Sequence, residues 1–239
     1  MAALAASCVA VLAVLAVALA PTTAPVVVLD PGHDARPNLA TEPIGPGSNV
    51  RKIRDGGGTR GSTTDVPEAV VNLAVAKRLA PMLQAAGVRV VLTRTTTAGV
   101  SMGNVARAEI ANGAHAVLFV RIHADGSTNP AQRGTHTLYP AYRRGWTDDI
   151  AAPSRRAAAL VQAELVHALG FPDRGLDSRS DITGFNWSDV PAVLPELGFL
   201  TNRSDERVLA SASGQGRAAV GLCRGILRFL VRPSAVCHV

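Results

Sequence analysis

The 239-residue chain is 47% hydrophobic and 4% aromatic, with a net charge of +6. That composition excludes a disordered chain and fits one domain with a sizeable core. The aromatics are too few for extended stacking on sugars or bases. The arginines are spread along the chain instead of gathered on one helix, which disfavours nucleic acid as a partner.

The first 20 residues are uncharged and almost wholly apolar, and Pro21 follows at once. Ala18-Leu19-Ala20 is a small-x-small cleavage signature, so residues 1–20 read as a signal peptide, although no Lys or Arg precedes the apolar run. Cys8 lacks the Leu three residues earlier that a lipoprotein signal would want. The expected product is an exported chain, in the periplasm or cell wall, without a stable membrane anchor. Residues 21–239 are then one domain.

Residues 26–29 are apolar and mostly β-branched, and Asp30-Pro31-Gly32 closes them as a strand followed by a turn. Residues 36–65 are rich in Gly, Pro, Arg and polar groups without an apolar period, which predicts a mobile loop bordering the cleft. A helix is expected from Asp65 as its cap, with Pro67 in the first turn. Val71, Val75, Leu79 and Met82 carry its apolar face and Gly87 ends it. Residues 88–92 read as a strand and 105–111 as a short helix. Residues 116–122 are apolar except for Arg121 and predict a central strand. Residues 134–139 read as an edge strand, 157–169 as a helix ended by Gly170, and 192–197 as a buried strand. Val220, Cys223, Leu227 and Leu230 define a last amphipathic helix.

This alternation predicts a single α/β domain, with a mostly parallel twisted central sheet and helices on both faces. Ligands bind such sheets beyond the carboxyl ends of the strands. No apolar stripe suggests a partner subunit, so a monomer is expected. Cys223 and Cys237 are either bridged, as an oxidising compartment permits, or free, since Cys223 also fits a buried helix face.

Four polar residues stand at the ends of apolar elements: His33, Glu68, His123 and Glu196, separated by 35, 55 and 73 residues. Only a sheet could gather them. Two His and one carboxylate suit catalytic zinc with a position left for water, and a further carboxylate would move the proton. Singly each has a plain alternative: a turn histidine, a capping-box partner for Asp65, a structural carboxylate.

The local strings are more specific. They include Val27-Val28-Leu29-Asp30-Pro31-Gly32-His33, Pro67-Glu68-Ala69-Val70-Val71-Asn72-Leu73 and Arg121-Ile122-His123-Ala124-Asp125. Pro191-Ala192-Val193-Leu194-Pro195-Glu196-Leu197-Gly198-Phe199 follows in the same order. Together they resemble the zinc-dependent N-acetylmuramoyl-L-alanine amidases called amidase 3. The resemblance implies one zinc ion (Zn2+) on His33, Glu68 and His123, with Glu196 as the catalytic carboxylate. It also implies cleavage between the lactyl group of N-acetylmuramic acid and the first L-alanine of the stem, so peptidoglycan or muropeptide fragments are the expected partners. The family usually has Ser and Asn where this chain has Arg121 and Asp125. Residues 145–189 leave little length for the inhibitory helix of some relatives.

Two other readings remain: a zinc peptidase cutting peptide–peptide bonds, and a wall-binding protein without catalysis, against which Glu196 argues. Gly56 to Gly61 fits G-x-G-x-x-G formally, but about 25 residues beyond the nearest strand, so nucleotide binding is disfavoured. His115, His136, His167 and His238 read as surface or structural. Arg94 and Arg107 are expected to pair with acidic groups or with substrate carboxylates.

Overall fold

The computed structural model describes residues 23–238, so the expected leader lies outside the described residues. In chain order they form β1 (Val26–Pro31), β2 (Asn38–Pro43), β3 (Arg51–Asp55), α1 (Glu68–Ala85), β4 (Arg89–Leu92), α2 (Asn104–Gly113) and β5 (Leu118–Asp125). Then come β6 (Thr135–Pro140), α3 (Ala151–Leu169), β7 (Asp173–Arg179), α4 (Thr183–Asn186), β8 (Ala192–Phe199), α5 (Arg203–Leu209) and α6 (Ala212–Phe229).

Six strands make the central sheet in the order β4-β1-β5-β8-β6-β7. The pairs β4–β1, β1–β5, β5–β8 and β6–β7 are parallel, and only β6–β8 is antiparallel. The expected mostly parallel α/β domain is therefore what forms. Strand alternation divides the core. Val27, Leu29, Val120, Ile122, Val193 and Leu197 pack with α1, α3 and α6 on one face. Val28, Phe119, Ala192 and Leu194 pack with Ala108 and Ala111 of α2 and Phe185 of α4 on the other. On the first face α6 lies close on α3, because a Cβ on Gly225 would stand 2.6 Å from the Cα of Val161.

Several boundaries differ from the sequence reading. Residues 36–65 hold a hairpin, β2 against β3, not an irregular loop. Its strands are polar and mostly exposed, so they carry no apolar period to read. Side chains tie the hairpin down: Glu42 accepts from the backbone N–H of Asn104 at 2.7 Å, and Lys52 donates to the Asp181 carbonyl at 2.5 Å. Strand β6 is not an edge; β7, almost wholly polar, covers it. Helix α1 begins at Glu68 with Pro67 in the cap position. Asp65 sits at φ 57° and pairs with Arg60 at 2.6 Å, so it caps nothing. Helix α3 starts at Ala151, six residues before its apolar period becomes legible, with Pro153 tolerated in the first turn. Cys223 and Cys237 are bridged, with Cα atoms 5.8 Å apart, which pins the segment after α6 to that helix.

Candidate metal centre and its cleft

The polar residues gather at the carboxyl ends of the strands through alternation. His123 projects from β5 on the same face as Phe119 and Arg121, and Glu196 from β8 on the face of Ala192 and Leu194. The two are register partners across β5 and β8. His33 follows β1 in the left-handed region at φ 61°, on a turn held by the Gly32 N–H donating to Ile122 at 2.9 Å. Gly32 has to lack a side chain, since a Cβ would lie 2.2 Å from the His123 ring. Glu68 is the first residue of α1.

One ligand atom from each of His33, Glu68 and His123 lies within 4.8 Å of the others, a group that could hold a metal ion. Glu68 Oε1 is 3.4 Å from His33 Nε2 and 3.0 Å from His123 Nδ1. The surroundings fix each group. Glu68 accepts from the N–H of Thr59 at 3.0 Å, from Asn72 Nδ2 at 3.1 Å and from the N–H of Ala124 at 3.2 Å. His33 Nδ1 meets Asp55 Oδ1 of β3 at 2.5 Å, which orients the ring and leaves Nε2 for the cluster. Two buried atoms beside this group have no hydrogen-bond partner, His123 Nε2 and Glu196 Oε2. Buried polar atoms are seldom left unpaired, so orphans beside a His-Glu-His set fit a cation and a water or substrate oxygen.

The electrostatics agree. Burial opposes ionisation of Glu68, but its hydrogen bonds to His123 and His33 prevail and hold the carboxyl well below its ordinary range. Burial likewise opposes a charge on His33, yet Asp55 and Glu68 push it up to about 10. Glu196 goes the other way: burial, then the charges of Glu68 and Asp125, raise its carboxyl well above the usual value. The carboxylates around His33 therefore favour a positive charge there, a proton or a metal ion that replaces it.

Glu68, His123, Glu196, Thr59 and Asp125 line one open cleft of about 510 Å³. His136, expected at the surface or in a structural role, is the register partner of Glu196 on β6 and stacks on Phe199 with centroids 6.0 Å apart. His115, His167 and His238 are exposed. Arg94 donates to the carbonyls of Pro31, Gly32 and Ala69, clamping the first turn to α1. Arg107 pairs with Asp30 at 2.5 Å and reaches the His33 carbonyl at 3.2 Å. Both arginines therefore bind groups of the protein. Gly58, inside the formal G-x-G-x-x-G string, sits at φ 72° against the cluster, where a Cβ would stand 2.6 Å from Glu68 Oε2. The glycines wall the site with backbone.

Sequence reasoning missed Asp55 and Asn72 as supports. Asn72 was findable, one helical turn after Glu68 on the same face. Asp55 was not, because its strand lies in a stretch without a period.

The sequence profile of the N-acetylmuramoyl-L-alanine amidase family matches residues 27–228. An N-acetylmuramoyl-L-alanine amidase of Mycobacterium tuberculosis is 33% identical over 220 residues, 86% of each chain. The crystal structure of the N-acetylmuramyl-L-alanine amidase of Mycobacterium smegmatis superposes with a TM-score of 0.79 at 30% identity, covering 87% of this chain and 98% of that one. The corresponding enzyme of Mycobacterium abscessus gives 0.79 at 28% identity, covering 87% and 100%. A sheet, a His-Glu-His cluster and a buried carboxylate in one cleft thus coincide with likeness along nearly the whole described chain, and the chain belongs to the N-acetylmuramoyl-L-alanine amidase family.

Proposed function

We propose that the chain is an exported peptidoglycan hydrolase that cleaves the amide between N-acetylmuramic acid and the first L-alanine of the stem. His33, Glu68 and His123 hold one zinc ion in this reading, and Glu196 is the catalytic carboxylate. The observation that carries it is the convergence of the three ligand atoms within 4.8 Å beside Glu196, the strand neighbour of His123. Bound zinc would supply a Lewis acid for the scissile carbonyl and for the attacking water. Glu196 takes a proton from that water as its oxygen bonds to the carbonyl carbon. It then delivers the proton to the alanine nitrogen as the C–N bond breaks. Asp55 keeps the His33 ring in one orientation, and the N–H groups of Thr59 and Ala124 keep the Glu68 carboxylate in place.

The leader read at residues 1–20 and the Cys223–Cys237 bridge support export to an oxidising compartment. No helix among the described residues is long and apolar enough to cross a membrane.

The test is product analysis on purified peptidoglycan. Mass spectrometry should find stem peptides with a free N-terminal L-alanine and glycan with a free lactyl carboxylate. A chelator should abolish this release and added zinc should restore it. Cleavage within the stem would mean a peptidase instead, and undiminished release by metal-free protein would remove the metal from the reaction.

A further inference from the structure

A second cavity, of about 130 Å³, shares His33 and His123 with the main cleft. It is roofed by Ile53, Arg54 and Asp55 of β3 and lined below by Arg121 and Asn104. Arg121 is 3% exposed. Its Nε donates to Asp30 Oδ2 at 3.0 Å and its Nη2 to Asn104 Oδ1 at 2.5 Å. Its remaining nitrogen, Nη1, donates to nothing among the described residues. The guanidinium packs closely on Gly184, where a Cβ would come within 2.4 Å of Nη1.

Of the other cations nearby, Arg54 is half exposed and pairs loosely with Glu42 at 3.9 Å, and the rest are already used. Arg107 is satisfied by Asp30, Ser101 and three backbone carbonyls. Lys52 and Arg179, in the adjoining hollow, both pair with Asp181. The cavity's carboxylate, Asp55, is committed to His33 and to the N–H of Gly57. Asp30 is paired twice, by Arg107 and Arg121, so the buried trio carries an excess of one positive charge. A buried guanidinium that lines a cavity and has a donor to spare suits a carboxylate.

The position sets the distance. Arg121 precedes His123 by two residues on β5, which at the rise of an extended strand is about 7 Å. An extended peptide covers the same distance in two residues. We propose that Arg121 is a specificity residue that receives a free carboxylate borne by the stem peptide one or two residues beyond the scissile amide. The inference rests on the amidase reading above.

The experiment uses the zinc-loaded full chain and two muropeptides that differ at one group. The α-carboxylate of the second stem residue is free in one and amidated in the other. The free acid should be cleaved with a kcat/KM about tenfold or more higher, the usual size of a lost charged hydrogen bond. In Arg121→Gln the ratio should fall towards one, and Arg121→Lys should keep part of it. Calorimetry on metal-free wild-type protein should rank the two released peptides in the same order. Equal cleavage of both muropeptides by the wild type, or a preference that survives Arg121→Gln, would overturn the inference and leave the amidase reading standing. Cleavage of neither would overturn both. The wild-type ratio decides the matter even if Arg121→Gln fails to fold, and a merely structural Arg121 would alter melting temperature without creating a ratio.

Discussion

The two faces of the central sheet are built from the same strands and do different work. The face under α1, α3 and α6 is apolar along its length, from Val27 and Leu29 through Leu118, Val120 and Ile122 to Val193 and Leu197. The opposite face begins in the same way, with Val28, Phe119, Ala192 and Leu194. It then turns polar where the strands end, at Asp30, Arg121, His123 and Glu196. Register joins these residues in pairs, Asp30 with Arg121 and His123 with Glu196. One face is therefore apolar throughout, and the other gathers the candidate metal and catalytic residues at one end only. Stability and turnover should respond separately to substitutions on the two.

The largest effect expected is on the polar face. Glu196→Gln keeps the shape of the side chain and removes its basicity, so turnover should fall roughly 10²–10⁴-fold, the range for a lost general acid–base. Bound zinc should hold and melting temperature should hold or rise, because an unpaired buried carboxylate is a cost to the fold. Turnover, zinc content and melting measured on one preparation check this. A lower melting temperature with an unchanged rate would dissolve the division between the faces. Leu165→Ala, on the fully buried face of α3, should do the reverse. It should cost about 2–5 kcal/mol in denaturant unfolding and leave kcat near wild type.

The smallest effect concerns the border between the faces. Burial favours protonated Asp30, yet Arg107, Arg121 and Thr93 hold its carboxyl well below the ordinary range. A depressed folded value contributes stability above the unfolded value of about 4, and the contribution disappears as pH falls below it. Melting temperature should therefore decline below about pH 4, and Asp30→Asn should flatten that decline. An unaltered acid slope in Asp30→Asn would assign the acid sensitivity to other carboxylates.

The same contrast explains what could be read in advance. The apolar face announced itself through period, so β1, β5, β8, α1 and α6 were legible. The four residues of the cleft were legible as strings because they adjoin those elements. Strands β2, β3 and β7 were not, since Asn38–Pro43, Arg51–Asp55 and Asp173–Arg179 bury few apolar side chains and are fixed by hydrogen bonds to distant residues. Asp55 went unnoticed for that reason; the place of His136 in a row with His123 and Glu196 went unnoticed because its strand read as an edge, with no sign of which strand it pairs. A single histidine carries no sign of its neighbour two strands away.

Strand β8 lies between β5 and β6, although both precede it in the chain. In order of synthesis, His33, Glu68 and His123 are present long before Glu196. The sheet cannot close until Ala192–Phe199 inserts between partners that are only a short connection apart. Contacts of such long sequence separation form slowly. Until they form, β5 and β6 each present an unpaired edge, the kind of surface through which chains associate wrongly. The strand that completes the apolar core also carries Glu196 to the cleft, so in the proposed reading closure of the sheet and completion of the catalytic site are one requirement.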